Sequence, residues 1–179
     1  MNGPRLIKAD EYDRVRDGLD RLLLDSVAGG ASVGFLADSR AAEREAYLDE
    51  VSKGIHAAER LLWVIGEADE LLGSVQLSLV NKPNGLNRAE VQKLLVHQRA
   101  RRRGLASALM AELEAHSMRI ERGLLYLDTL AGSDAEALYS RLGYVRAGGV
   151  PDYAAGPDGI YRPTAIYYKI LRRAQRFQA

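Results

Sequence analysis

The stretch AEVQKLLVHQRARRRGLAS, residues Ala89 to Ser107, decides the fold. Its front part, Val91 to Val96, is apolar-rich and follows the turn signal KPNG, so it reads as a strand. Its last residues open a helix. Leu105, Leu109, Leu113 and Ile120 recur at helical spacing, with Ala106 and Met110 beside them. Between strand and helix lies HQRARRRG, dense in positive charge and closing on Gly104. A helix N-terminus exposes unpaired N–H groups and the positive end of the peptide dipole, which suits an anion. Gly104 admits a close backbone approach, and the small Ala106 keeps the first turn uncrowded. The competing reading is a solvated basic turn that only joins strand to helix. A nucleic-acid face would need basic charge spread over a surface with aromatics interleaved. Here the charge sits in one loop, and 25 basic residues balance 24 acidic ones, so no nucleic-acid partner is expected.

Upstream, Arg5 to Ile7 is a short strand, and Asp10 caps a helix from about Glu11 to Ser26 with Val15, Leu19, Leu22 and Leu23 as its buried stripe. AGGASVGFL, Ala28 to Leu36, is either a tight connection between helices or a loop that packs on a ligand with Phe35 as a wall. Ser39 is expected to cap a second helix, Arg40 to Lys53, stopped at Gly54. Leu61–Glu67 and Leu71–Leu79 form a hairpin across a short polar turn. In the loop before the organising strand, Lys82, Asn84 and Asn87 can contact a polar substrate or simply build a turn.

Downstream, the helix ends near Arg122-Gly123, and LLYLDTL, Leu124 to Leu130, is a strand. Strand, helix and strand in this order imply a parallel pair. Ser133 to Leu142 is a short helix. Strands at about Tyr144–Gly148 and Thr164–Leu171 are separated by the Pro/Gly-rich VPDYAAGPDGIYRP, and the polar tail RRAQRFQA is expected to fray.

Three residues stand out chemically. Glu90 is expected to share a strand face with Gln92, Leu94 and Val96; a buried carboxylate there has a pKa suited to a general base, while beside Arg88 in solvent it is inert. Asp128 lies in what should be a buried parallel strand, as a functional group or as a strand-end carboxylate bonded to the next loop. Tyr139, in SDAEALYSRLGY, is a core residue or a phenol placed to protonate a leaving thiolate.

Length, 179 residues, and 47% hydrophobic content suit one globular domain spanning 1–179. With no cysteine, disulfides and thiol nucleophiles are excluded. His56, His97 and His116 lack zinc-site spacing, so no metal is expected. The N-terminal residues lack the apolar region of a secretion signal, and a cytoplasmic location is expected.

The pattern Arg101-x-x-Gly104-x-Ala106 straight after a strand resembles the pyrophosphate-binding motif of the GNAT N-acetyltransferases, and AEALYSRLGY resembles that family's second signature. The resemblance implies an α/β (α+β) fold: a mixed, mostly antiparallel sheet of about seven strands, its central parallel pair splayed around CoA, with about four helices. It implies acetyl-CoA as cosubstrate and a primary amine as acceptor, with a homodimer common among relatives. Leu94, Leu95 and Val96 would lie along the pantetheine, and Arg101, Arg102, Arg103, Gly104, Leu105, Ala106 and Ser107 would hold the diphosphate. Glu90 would be a general base, with Asp128 as a second candidate. Tyr139 would be the general acid and also touch the cofactor. Phe35, Asn84 and Asn87 are the substrate-side candidates. One departure is Gly132, where the family often has asparagine. GGASVGF, QLSLVNKPNGLNRAEVQKL, RGLLYLDTLAGS and PTAIYYK extend the likeness to toxin-resistance members of the family, which implies a small acceptor such as an antibiotic or β-lactam toxin. The other readings are acetylation of a protein lysine or N-terminus, and an acyl-CoA-binding module without catalysis.

Overall fold

Strand propensity and helical periodicity divide the chain much as its apolar pattern dictates. In the computed structural model, residues 3–172 are described; all of the tail RRAQRFQA except Arg172 lies outside them. The elements are β1 (Arg5–Leu6), α1 (Tyr12–Ala28), α2 (Ala41–His56), β2 (Arg60–Glu67), β3 (Glu70–Leu79), β4 (Arg88–Val96), α3 (Leu105–Arg119), β5 (Leu124–Leu130), α4 (Asp134–Arg141), β6 (Val145–Ala155) and β7 (Tyr161–Ile170). Seven strands form one sheet in the order β1-β2-β3-β4-β5-β7-β6. The β4–β5 pair is parallel and the other pairs are antiparallel.

Each face of the sheet buries its own core, because successive strand residues point to opposite sides. Trp63 and Ile65 of β2 join Ala89, Val91, Leu125 and Leu127 against Leu109 and Leu113 of α3. Leu62 and Val64 pack instead on Val15, Leu19 and Leu22 of α1 and on Leu48 and Val51 of α2. No described helix is long and apolar enough to cross a membrane.

A β-bulge corrects the expected face of Glu90. Between the pairs Gln76↔Gln92 and Ser74↔Leu95, β3 advances two residues and β4 three. Lys93 takes the left-handed conformation, φ 48°. The extra residue reverses the alternation. Ala89 and Val91 belong to the α3-side core, and past the bulge Leu94 and Val96 pack against that same core, whereas Leu95 turns to α1 and α2. Glu90 and Gln92, alternating with Ala89 and Val91, therefore face the α1/α2 side without Leu94 or Val96.

Other expectations change as well. Ser39 does not cap α2; its Oγ accepts from the Leu36 N–H at 2.8 Å, and Arg40 is the cap residue. The helix runs through Gly54, where a Cβ would stand 3.0 Å from that of Arg60, so the glycine is a close-packing position rather than a stop. The Pro/Gly-rich stretch after Gly148 is mostly a long β6–β7 hairpin. Pro151 fits because β6 is a sheet edge, and Pro163 of β7 lies opposite the register slip between Val150 and Ala154.

Candidate active site

The parallel pairing of β4 with β5 covers Arg88↔Leu124, Ala89↔Leu125 and Glu90↔Tyr126 and then stops. Beyond Glu90 the two strands separate, and the β4 edge from Gln92 to Val96 that faces β5 has no strand beside it. A chain carrying amides, such as a pantetheine arm, can pair with peptide groups left free in this way.

At the open end of that gap lies the basic loop. Two left-handed residues, Arg102 (φ 60°) and Gly104 (φ 80°), turn the chain into α3. Arg101, Arg102 and Arg103 are exposed, and the Arg101 side chain also reaches the Val96 carbonyl at 3.4 Å. Gly104 is the helix cap residue. No side chain caps the first turn and no acidic residue lies in it, and a Cβ on Gly104 would meet nothing within 4 Å. First-turn N–H groups and the helix dipole thus face open space beside three exposed arginines. This donor set fits a diphosphate. The loop is held from behind by a residue the sequence did not single out. Asp25, near the end of α1, accepts from the Gln98 N–H at 2.8 Å and lies 3.2 Å from the His97 ring.

Glu90, expected on the acceptor side, lies on the α1/α2 face. Glu90 and Tyr126 are register neighbours there. Burial holds the Tyr126 phenol above its ordinary pKa, the Glu90 charge adds to this, and Arg88 opposes it. Asp128 is exposed, which corrects the expectation of a buried position: it lies two residues past the last β4–β5 pair. The Thr164 hydroxyl, with one proton to give, sits 3.3 Å from its Oδ2 and 2.8 Å from the Thr129 carbonyl. Tyr139 is buried on α4 and packs edge-on against Tyr144, 5.6 Å between ring centroids. Its pKa is raised chiefly by burial, and the Asp128 charge contributes.

Phe35 is half-buried and packs edge-on against Tyr47 at 5.5 Å. Burial pushes the Tyr47 phenol up to about 12. The α1–α2 loop carrying Phe35 is tied to the β6–β7 hairpin. Ser32 Oγ donates to the Ala155 carbonyl at 3.2 Å, and the Ala37 N–H donates to the Pro157 carbonyl at 2.9 Å. Lys93, which the sequence did not flag, donates from Nζ to the Val33 carbonyl at 2.8 Å.

Asn84 and Asn87 lie before the N-terminal end of β4, away from the gap. Asn84 is exposed, and Asn87 Oδ1 accepts from the Gly123 N–H at 3.2 Å. Gly132, with φ 76°, directs its N–H to Glu136 Oε2 at 2.5 Å and so helps start α4. Along the same sheet face, Arg88, Leu124, Tyr126, Tyr168 and Ile170 line an open groove of about 650 Å³. No group of three or more histidine, aspartate or glutamate side chains arranged to hold a metal is found among the described residues.

Solved acetyltransferases share this architecture. An N-acetyltransferase from Staphylococcus aureus superposes with a TM-score of 0.73 at 18% identity, covering 96% of this chain and 100% of that one. The Salmonella typhimurium protein yncA, solved with its cofactor acetyl-CoA, gives 0.73 at 15% identity over 97% of this chain and 96% of that one. A Salmonella typhimurium acetyltransferase that modifies the N-terminal serine of ribosomal protein L7/L12 gives 0.74 at 16% identity over 96% and 97%. The family model described as acetyltransferase (GNAT) family matches residues 29–144, which run from the α1–α2 loop through the basic loop to the end of the Tyr139 helix. The chain therefore belongs to the GNAT acetyltransferase family and is an N-acetyltransferase.

Proposed function

We propose that this enzyme moves an acetyl group directly from acetyl-CoA to the primary amine of a small molecule. One observation carries the reading: β4 leaves β5 just past Glu90, with an uncapped basic helix start at one end of the gap and carboxylates at the other. The N–H groups of Arg102 to Ser107 and the arginine side chains would hold the diphosphate, and the free edge of β4 at Leu94, Leu95 and Val96 would lie along the pantetheine. Acetyl-CoA supplies an activated thioester. Glu90, Asp128 or a water between them takes the ammonium proton, leaving the nitrogen lone pair free to attack. An N–H near Leu95 or Val96 polarises the acyl carbonyl. Tyr139 gives its proton to the departing sulfur; its raised pKa keeps it protonated through the neutral range. With no cysteine in the chain, transfer needs both substrates bound together, so proximity contributes much of the acceleration.

The bonds from Ser32 and Ala37 to the hairpin, which join two walls of the acceptor side, favour a small acceptor. So does the likeness of GGASVGF, RGLLYLDTLAGS and PTAIYYK to the tabtoxin resistance protein, which acetylates the amino group of a β-lactam toxin. The two cores share one sheet, which supports reading 1–179 as a single domain. A second reading, acetylation of a protein N-terminus, is favoured by the open groove beside Tyr126 and Tyr168. Thiol release from acetyl-CoA with panels of small amines and of peptides separates the two. Glu90→Gln and Asp128→Asn should each lower kcat by about 10²-fold or more while leaving acetyl-CoA affinity within a few-fold. Wild-type turnover in both variants would remove these residues from the mechanism.

A further inference from the structure

The acetyl-transfer reading leaves Lys93 without a task. It sits at the β4 bulge with φ 48°, a backbone conformation that L-residues seldom adopt. The bulge takes its side chain out of the strand's alternation and under the α1–α2 loop. There Nζ donates to the Val33 carbonyl at 2.8 Å, lies 5.4 Å from the centre of the Tyr47 ring, and would stand 3.4 Å from a Cβ on Gly34. An ammonium has three N–H groups, and one carbonyl satisfies one of them. The ring face attracts the charge but offers no lone pair. Carboxylate charges reach Lys93 from Asp128, Glu50 and Glu90, and the positive charge of Arg60 reaches it too. Glu50 is already bonded to Arg60 at 3.0 Å. What remains is a half-buried ammonium on the acceptor face, in the field of the two carboxylates that would receive the substrate amine.

Charge then decides what such a face prefers. An acceptor arrives as an ammonium, which Glu90 and Asp128 attract and Lys93 repels. A diamine feels that repulsion in full. A carboxylate a few bonds from the amine turns the same cation into a binding group, and the N–H groups without a protein acceptor gain charged ones. We propose that Lys93 is the carboxylate-binding residue of the acceptor site, and that the acceptors are compact amino carboxylates, amine toward Glu90 and Asp128 and carboxylate on Lys93. The inference rests on the acetyl-transfer reading and names the substrate class for it. The α1–α2 loop supplies the wall behind the bound carboxylate, since Val33 and Gly34 lie against Nζ.

The test compares glycine, β-alanine, γ-aminobutyrate and L-lysine with their own carboxamides, in the wild type, Lys93→Met and Lys93→Arg. Thiol release should show at least one carboxylate favoured over its carboxamide by about tenfold or more in kcat/KM. Lys93→Met should collapse that ratio toward one through KM, and Lys93→Arg should retain most of it. A ratio near one in the wild type overturns the proposal, as does a Lys93→Met enzyme that loses kcat equally on both members of each pair. Calorimetry of the N-acetylated products with CoA present reads the same contact without turnover. There the carboxylate product should bind about tenfold tighter than its carboxamide, and only with Lys93 or Arg at the position. That preference without any acetylation would defeat the small-amine acceptor reading and leave the Lys93 assignment standing; its absence would defeat the assignment.

Discussion

Asp25 shows how far a single side chain can reach from the chemistry it supports. It sits near the end of α1, yet it takes the Gln98 N–H at 2.8 Å, lies 3.2 Å from His97 and meets the Gln98 side-chain amide at 3.3 Å. Those contacts fix the first residues of the loop whose later part, Arg101 to Gly104, faces open space. Removing the carboxylate returns an exposed backbone N–H and amide to water, a cost of about 0.5–1.5 kcal/mol. Asp25→Ala should therefore raise KM for acetyl-CoA several-fold with little change in kcat, measured by initial rates at saturating amine. A fall in kcat with unchanged KM would mean the loop acts elsewhere. Nothing in the sequence marked Asp25, because its partners lie 73 positions away. Gly104 was legible for the opposite reason: a left-handed cap before a helix is a local demand, and glycine answers it locally. Lys93 escaped because a lysine inside an apolar strand reads as one outward-facing position, and a bulge has no composition of its own.

At the scale of elements, α4 presents Tyr139, and its start is built from Gly132, Ser133 and Glu136. Ser133 Oγ accepts from the Glu136 N–H at 3.2 Å, and the Glu136 carboxylate receives the Gly132 N–H and the Tyr167 hydroxyl, the latter at 2.7 Å. The Gly132 bond, then the Tyr167 bond, holds the Glu136 carboxyl below its ordinary range. A depressed carboxylate stabilises the fold fully above its unfolded pKa and loses that contribution as pH falls through the folded one. Glu136→Gln should thus melt below the wild type near pH 7, and the gap should close as pH drops below the usual glutamate range of about 4.3. Thermal melts at both ends of that range check it; a gap independent of pH would mean that shape rather than charge matters. This helix was readable from Ser133, Glu136 and the Ala135–Leu138–Leu142 spacing. The β6–β7 hairpin was not. Pro151, Pro163 and four glycines argued for a loop; the edge position of β6 admits Pro151, and the register slip opposite Pro163 admits the other.

At the scale of the whole molecule, the parallel pair and the seven strands and four helices of the described residues follow from local patterns: apolar runs, turn residues and one strand–helix–strand unit. The geometry of the gap does not, because it depends on where β4 and β5 cease to pair. That is why Glu90 and Asp128 could be named as residues while the face of one and the burial of the other were misplaced. Charge is also a matter of the whole chain. The formal net charge is +1, so no general field draws a polyanion, and the proposed recognition of CoA rests on the loop at Arg101 to Gly104 and the helix start behind it.

That grip is tested most directly by comparing the affinity of the purified protein for CoA with its affinity for pantetheine, which lacks the diphosphate. CoA should bind tighter by about tenfold or more at low salt, and the advantage should shrink as salt rises and in an Arg102→Ala, Arg103→Ala double variant. Equal affinity for the two, or a CoA preference indifferent to both salt and the arginines, would contradict the account.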